Sequence, residues 1–369
     1  HKMSQTKVAA PFVANNANFR NLIINGDMSI AQRGTSATGL TNGSSGYQTV
    51  DRFRFEEGGS PSAAFTMTQS TDVPTGQGFG YSTKFDCTTA QGSLASSDII
   101  RFATFLEGQN LQMLKKGTSS AESTTLSFWV KSNKTGTYTM RLEDQDNSRM
   151  NCKSYTISSS DTWEKKTITF AGDTTGALDN DNALSFIVRF NLLAGTNYDT
   201  GTLQTTWGSR TDANSAVDQV NLADSTSNEW YITGIQFEIG DQATDFEHLP
   251  FDVQFQRCQR YFYNHTDPQT SGNEPISMGN MYSSSQCNGM IIFPVSMRTS
   301  PSLICSDAST HFRIYRNSGS DAVDNWSSGE LTVNMGEIFN SSDVSGTAGH
   351  ACTITTDDAS ASMTFDAEL

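Results

Sequence analysis

Charge is scarce in this chain. Only 17% of its 369 residues are Asp, Glu, Lys or Arg, and hydrophobic residues reach just 36%, so Ser, Thr, Gly, Asn and Asp fill much of the remainder. No window approaches 18 uninterrupted apolar residues, which excludes a membrane-spanning helix. The N-terminal stretch lacks the apolar core of a signal peptide, so the sequence reads as a product made and folded in the cytoplasm. The six cysteines (Cys87, Cys152, Cys258, Cys287, Cys305 and Cys352) contain no Cys-x-x-Cys spacing. That excludes a zinc module and a dense disulfide framework, and they read as free and mostly buried. Basic residues are the scarcest class: 24 Lys and Arg face 39 Asp and Glu, for a net charge of −15. From His265 onward there are 3 Arg, no Lys and 12 acidic residues in 105 positions, a net charge of −9. With no basic stripe to neutralise phosphates, nucleic acid is excluded as a partner.

Low hydrophobicity with few charges can signal disorder, but 22 Phe, 10 Tyr and 5 Trp supply a core. These residues sit in short runs of period two, as in strands with one buried face. Examples are Phe53/Phe55, Phe65/Met67, Leu126/Phe128/Val130, Tyr138/Met140/Leu142, Ile168/Phe170, Leu184/Phe186/Val188/Phe190 and Ile235/Phe237/Ile239. Gly58-Gly59, Asn133-Lys-Thr-Gly136, Gly172-Asp173 and Asp179-Asn-Asp-Asn182 separate them as turns. The pattern predicts a mainly β protein. Residues 1–20 lack periodicity and read as an extended arm, 21–250 as a jelly-roll-like β-sandwich of two antiparallel sheets, and 265–369 as a smaller C-terminal β-sandwich.

Two stretches read as helical. Residues 105–117 place Leu111 and Leu114 on one side, with Lys115 and Lys116 ahead of a Gly117 stop. Residues 251–264 follow Pro250 and set Phe251, Phe255, Cys258 and Phe262 at helical spacing, a linking helix with an apolar stripe. An aromatic stripe at a domain junction suits burial between subunits, so Phe251, Phe255 and Phe262 are the expected interface of a homotrimer. The alternative is packing of the stripe within its own subunit.

Catalytic signatures are missing: there is no phosphate loop, no His-Glu-x-x-His and no Gly-x-Ser-x-Gly. Gly76-Gln-Gly-Phe-Gly80 has no helix-forming run behind it and reads as a turn, and His350 beside Cys352 reads as structural. No catalytic residue is assigned, and no cofactor beyond structural calcium. Asp179 and Asp181 concentrate hard oxygen ligands in a loop, which suits Ca²⁺, against the alternative of Asx-type turns; Glu143-Asp144-Gln-Asp146-Asn147 offers the same pair of readings. Flat rings among polar loop residues suit sugars, which present apolar ring faces and hydroxyls. Tyr198, Trp207, Tyr282 and Trp326 are the glycan candidates, against ordinary packing or subunit contact, while Trp129 and Trp230 lie within strands and read as core.

Three ordered segments go further. They are Asn21-Leu-Ile-Ile-Asn-Gly-Asp-Met-Ser-Ile-Ala-Gln-Arg-Gly34 with Gly46-Tyr-Gln-Thr-Val-Asp-Arg-Phe-Arg-Phe55; Leu126-Ser-Phe-Trp-Val-Lys131; and Ile235-Gln-Phe-Glu-Ile-Gly240 continuing through Asp245-Phe-Glu-His248 to Cys258-Gln-Arg-Tyr-Phe-Tyr263. In this order they resemble the β-sandwich domain of bacteriophage tail-fibre and receptor-binding proteins, especially those of phages from marine bacteria. The resemblance spans residues 21–263. The last hundred residues match only in general style, through Phe293-Pro-Val-Ser-Met-Arg-Thr-Ser-Pro301. It implies a non-enzymatic structural protein of the virion tail, a homotrimer that attaches to host cell-surface glycans with a distal C-terminal domain. Because the arm before Asn21 is shorter than the anchor domains of many fibres, a tail adaptor or another fibre protein is the expected docking partner. A capsid fibre or decoration protein, and a carbohydrate-binding or carbohydrate-degrading module, are the alternatives.

Overall fold

The computed structural model describes residues 19–266 and 272–369. The expected N-terminal arm lies, but for its last two residues, outside them. The chain is mainly β, and every strand pair is antiparallel. One sheet runs Ser36–Leu40, Ala64–Ser70, Ser82–Thr89, Glu229–Ile239, Thr124–Ser132, Glu164–Phe170. Its partner runs Gly208–Ser209, Arg149–Ile157, Gly136–Asp144, Leu184–Ala194, Ile99–Glu107, Phe53–Gly58, Gly46–Tyr47. Consecutive strands repeatedly change sheets: Ser82–Thr89 lies in the first, Ile99–Glu107 in the second and Thr124–Ser132 back in the first. The inward residues of both sheets interdigitate in one core. There Phe53 stacks on Phe102 at 4.9 Å between ring centroids, and Phe85 meets Trp230 edge-on at 5.9 Å.

The period-two runs form strands because alternate residues reach this core. Ile99–Glu107 escaped that reading because it is buried on both faces. Its outward side chains lie under cover too: Ala103 and Phe105 cluster with Ile187 against Leu369, so the polar face that alternation needs is missing. For the same reason the helix expected from Phe105 is corrected. Phe105 belongs to the strand, and only Gly108–Leu114 winds, as a 3₁₀ turn ended by Lys115 at φ +49°.

Residues 21–34 fasten the sandwich ahead of its first strand. The Asn21 side chain is buried; its Oδ1 accepts from the Ile23 and Phe237 amides, both at 3.0 Å, and its Nδ2 donates to the Ile235 carbonyl at 3.0 Å. Gly26 passes so close to that strand that an added Cβ would lie 2.0 Å from the Ile235 oxygen, which is why a glycine stands there. Asn25 bridges the Ile30 and Asp51 carbonyls, both at 2.9 Å. Asp51 in turn accepts from the Gln32 amide at 2.9 Å.

A second core gathers the C-terminal residues around Phe293, Phe312, Trp326, Ile354 and Phe365. It lies between a small sheet, Phe262–Asn264, Met363–Asp366, Ser302–Cys305, and a seven-stranded one. The latter runs Gly319–Val323, Phe312–Arg316, Ala351–Thr356, Pro275–Ser283, Gln286–Ile292, Met335–Asn340, Ser327–Leu331. All six cysteines are unbridged, and only Cys305 is partly accessible.

The linking helix is shorter than expected. It covers the nine residues Phe251–Gln259, after which the three residues Phe262–Asn264 form a strand paired with Met363–Asp366. Consecutive aromatics at 261–263 favour the pleated surface over another helical turn. The stripe is split: Cys258 is buried with Gln254 and Gln259, while Phe251 is 66% exposed and stacks on the half-buried Phe255 at 5.8 Å. Phe262 is buried beneath the Arg33 guanidinium, 3.6 Å from its ring, and is withdrawn as an intersubunit contact.

Ion pairs join the two cores. Arg33 reaches Asp366 at 3.1 Å and Glu368 at 3.4 Å. Arg52, fully enclosed, pairs with Glu368 and lies 3.5 Å over the Tyr261 ring. Gln32 adds a bond of 2.7 Å to the Phe262 carbonyl. Much of what makes the 21–55 segment distinctive is thus the seam between the two halves.

Candidate functional site

The C-terminal seven-stranded sheet covers the second core with one face and leaves the other open. In Phe312–Arg316, Phe312 and Ile314 point inward, so Arg313 and Tyr315 point out. The hairpin to Gly319–Val323 turns on Asn317 and Ser318, with φ of +41° and +61°, the left-handed pair that a two-residue turn requires. Register then sets an outward row across three strands: Tyr315 pairs with Thr353, and Thr353 with Met278. The adjoining row is Ala351, Asn280, Asn288. Tyr282 continues the outward column of Met278 and Asn280 along the same strand.

Against the turn this face forms a shallow groove of about 530 Å³, lined by Met278, Tyr315, Asn317, Ser318, Ser320 and Thr353 among others. The Tyr315 ring is 43% exposed, and its hydroxyl donates to Asn273 Oδ1 at 3.3 Å. Nearby, Asn288 Nδ2 donates to Glu337 at 2.6 Å and Gln286 Nε2 to Asn288 Oδ1 at 2.9 Å. A flat ring, a thioether and a ring of hydroxyls and amides therefore share one open surface.

Of the sequence-derived glycan candidates, Tyr282 is on this face and 69% exposed. Trp326 is withdrawn: it is 3% exposed and fills the second core. Trp207 is half-buried against Phe186 at 5.9 Å, and its indole donates to the Ala171 carbonyl at 3.0 Å, so its polar edge is committed. Tyr198 packs beside Ile99, Ala194 and Ala216, with the Arg101 guanidinium 5.4 Å over its ring. Tyr198 and Trp207 lie in the sandwich, so the four aromatics do not form one site. Tyr315, Met278, Asn280 and Thr353 went unremarked as ligands. Their signal was available in the inward alternation of Phe312 and Ile314, which forces Tyr315 outward beside an Asn-Ser turn.

Asp179 and Asp181 do lie in an exposed loop, where the Asp181 side chain makes a turn and the Asp179 backbone reaches across to Asp146. The Asp181 carboxylate accepts from the Ala183 amide at 2.9 Å, an Asx turn, and the Asp179 amide donates to Asp146 at 2.8 Å. Among the described residues no group of three or more His, Cys, Asp or Glu converges as a metal site would require.

A second cavity, about 340 Å³, opens at the seam near Phe105, Glu107, Met113, Arg257 and Tyr261. Glu107 is its one carboxylate. Burial works to raise its pKa, but hydrogen bonds from Arg260 (2.9 and 3.1 Å) and from the Tyr261 hydroxyl hold it below the ordinary value. A tied anion without a second carboxylate has neither the acid nor the partner that glycoside hydrolysis uses. Among the described residues no helix is long and apolar enough to cross a membrane.

No family model matches this chain, and no curated protein sequence does. Among solved structures, the enzymatically active domain of tailspike protein 4 from bacteriophage CBA120 is similar over 60% of this chain and 22% of its own, at 13% identity and a TM-score of 0.32. The family 11 carbohydrate-binding module from Clostridium thermocellum, in complex with a β-1,3-1,4-mixed-linked tetrasaccharide, is similar over 57% of this chain and 98% of its own, at 11% identity and a TM-score of 0.29. TmCBM61 in complex with β-1,4-galactotriose is similar over 60% and 99%, at 9% identity and a TM-score of 0.27. Likenesses this distant leave the functional argument to the residues themselves.

Proposed function

We propose that this protein is a non-enzymatic attachment subunit of a virus particle, a tail-fibre or receptor-binding component that holds host surface glycans on the outer face of its C-terminal sheet. The observation that carries the reading is the open groove beside Tyr315. A sugar ring stacks on the tyrosine face, while Asn317, Ser318, Ser320 and Thr353 offer directional partners for its hydroxyls. A shallow groove of this kind binds weakly. Repetition of subunits converts weak contacts into firm adhesion on a repeated glycan, and the exposed Phe251, stacked on the half-buried Phe255 of the linking helix, is the surface through which we propose that three copies associate. The ordered resemblance of residues 21–263 to fibre sandwiches supports the virion setting.

The test exchanges residues 265–369 with the equivalent segment of a related attachment protein and measures adsorption to both hosts. Preference moves with the exchanged segment if the groove is the recognition site. Preference that stays with residues 1–264 contradicts the proposal.

A further inference from the structure

Resting on the reading above, we infer that the glycan held by the C-terminal groove is uncharged, a neutral hexose or N-acetylhexosamine oligosaccharide, and that acidic polysaccharides are excluded by design of the surface. Recognition of a uronate, sulfate or phosphate calls for an available cation, above all the planar fork of an arginine. Residues 265–369 contain no lysine and 3 arginines. Each arginine is already engaged.

Arg298 spends its guanidinium on backbone, donating to the Ala367, Asn182 and Glu368 carbonyls at 2.7, 2.8 and 2.8 Å. Arg313 forms a two-pronged pair with Asp357 at 3.0 and 2.6 Å. Arg316, the one that lines the groove, is held by Asp321 at 2.5 Å and by the Ser345 hydroxyl at 3.3 Å. Glu337 adds a carboxylate on the outward face, pairing in register with the exposed Met290. The net charge of −9 over this segment repels a polyanion approaching within a Debye length, about 8 Å at physiological salt. What remains for a ligand is the Tyr315 ring and neutral hydroxyls and amides, the chemistry of an uncharged sugar.

The experiment places the purified full chain, at neutral pH, on an array of neutral hexose and N-acetylhexosamine oligosaccharides beside uronate, sulfated and phosphorylated ones of equal length. The expected signal falls on neutral members, is lost in Tyr315→Ala, and holds as NaCl rises from about 50 to about 500 mM, because no ion pair is screened. In Asp321→Asn, which releases Arg316, acidic members gain severalfold while neutral ones keep their signal. Capture of acidic glycans by the unaltered chain, weakening with salt, overturns the inference and leaves glycan attachment standing. An Asp321→Asn variant with no gain contradicts the role given to the Arg316 pair. Capture of no glycan overturns attachment to sugars as well.

Discussion

Asp51 shows how one residue in a recognisable sequence segment acts through structure rather than through ligand contact. Burial raises its carboxyl from 3.8 to about 6, against the lowering influence of Arg33 and the Gln32 hydrogen bonds. Because the folded pKa lies above the unfolded one, the folded state keeps its proton longer. Stability from this group is intact below about pH 4 and falls as pH rises through about 6, by an amount on the order of 3 kcal/mol at most. Asp51→Asn removes that dependence. The melting-temperature difference, wild type minus variant, is expected to decrease between about pH 4 and about pH 7 and then level off. A flat difference across this range contradicts the assignment. At this scale the sequence was legible where chemistry is local, as in the Asx turn at Asp181, and illegible where burial decides. Trp326 stands among polar neighbours in sequence, yet in the loop between Gly319–Val323 and Ser327–Leu331 its indole turns into the second core.

Among elements, strands whose inward apolar residues alternate with polar ones were read directly, as where Phe186, Val188 and Phe190 are flanked by Ser185, Arg189 and Asn191, although that strand is buried on both faces. Ile99–Glu107, whose outward face carries Ala103 and Phe105, was not, and the linking helix was misjudged for a related reason. Its sequence displays Phe251, Phe255, Cys258 and Phe262 as an apolar stripe, but Cys258 docks beside Gln254 and Gln259 while Phe251 stays exposed. Spacing alone does not say which side a neighbour occupies. The two phenylalanine classes therefore separate by experiment. Phe262→Asp, which puts a charge under the seam, is expected to cost about 3–5 kcal/mol and to lower expression of folded protein. Phe251→Asp is expected to leave the melting temperature unchanged while light scattering shows a smaller particle than the wild type. Equal masses for wild type and Phe251→Asp remove this helix from the assembly surface.

For the whole molecule, the joining of the two cores was not visible in the sequence, since Arg33 and Arg52 lie more than 300 positions from Glu368. That pairing makes Glu368 a test of coupling. Removing it leaves Arg52 buried without its anion, at a cost of about 3–5 kcal/mol. Calorimetry is expected to show one transition in the wild type and, in Glu368→Ala, an earlier melting of the C-terminal unit. An unchanged single transition denies the seam this role.

The central claim is that the outer face of the C-terminal sheet, centred on Tyr315, holds the host surface. Flow cytometry of fluorescently labelled full chain on host cells, comparing wild type with Tyr315→Ala at matched melting temperature, tests it most directly. Loss of one aromatic anchor, worth about 1.4 kcal/mol or more, predicts at least about a tenfold rise in the concentration needed for half-maximal staining. Staining by Tyr315→Ala that superimposes on the wild-type curve would contradict the account.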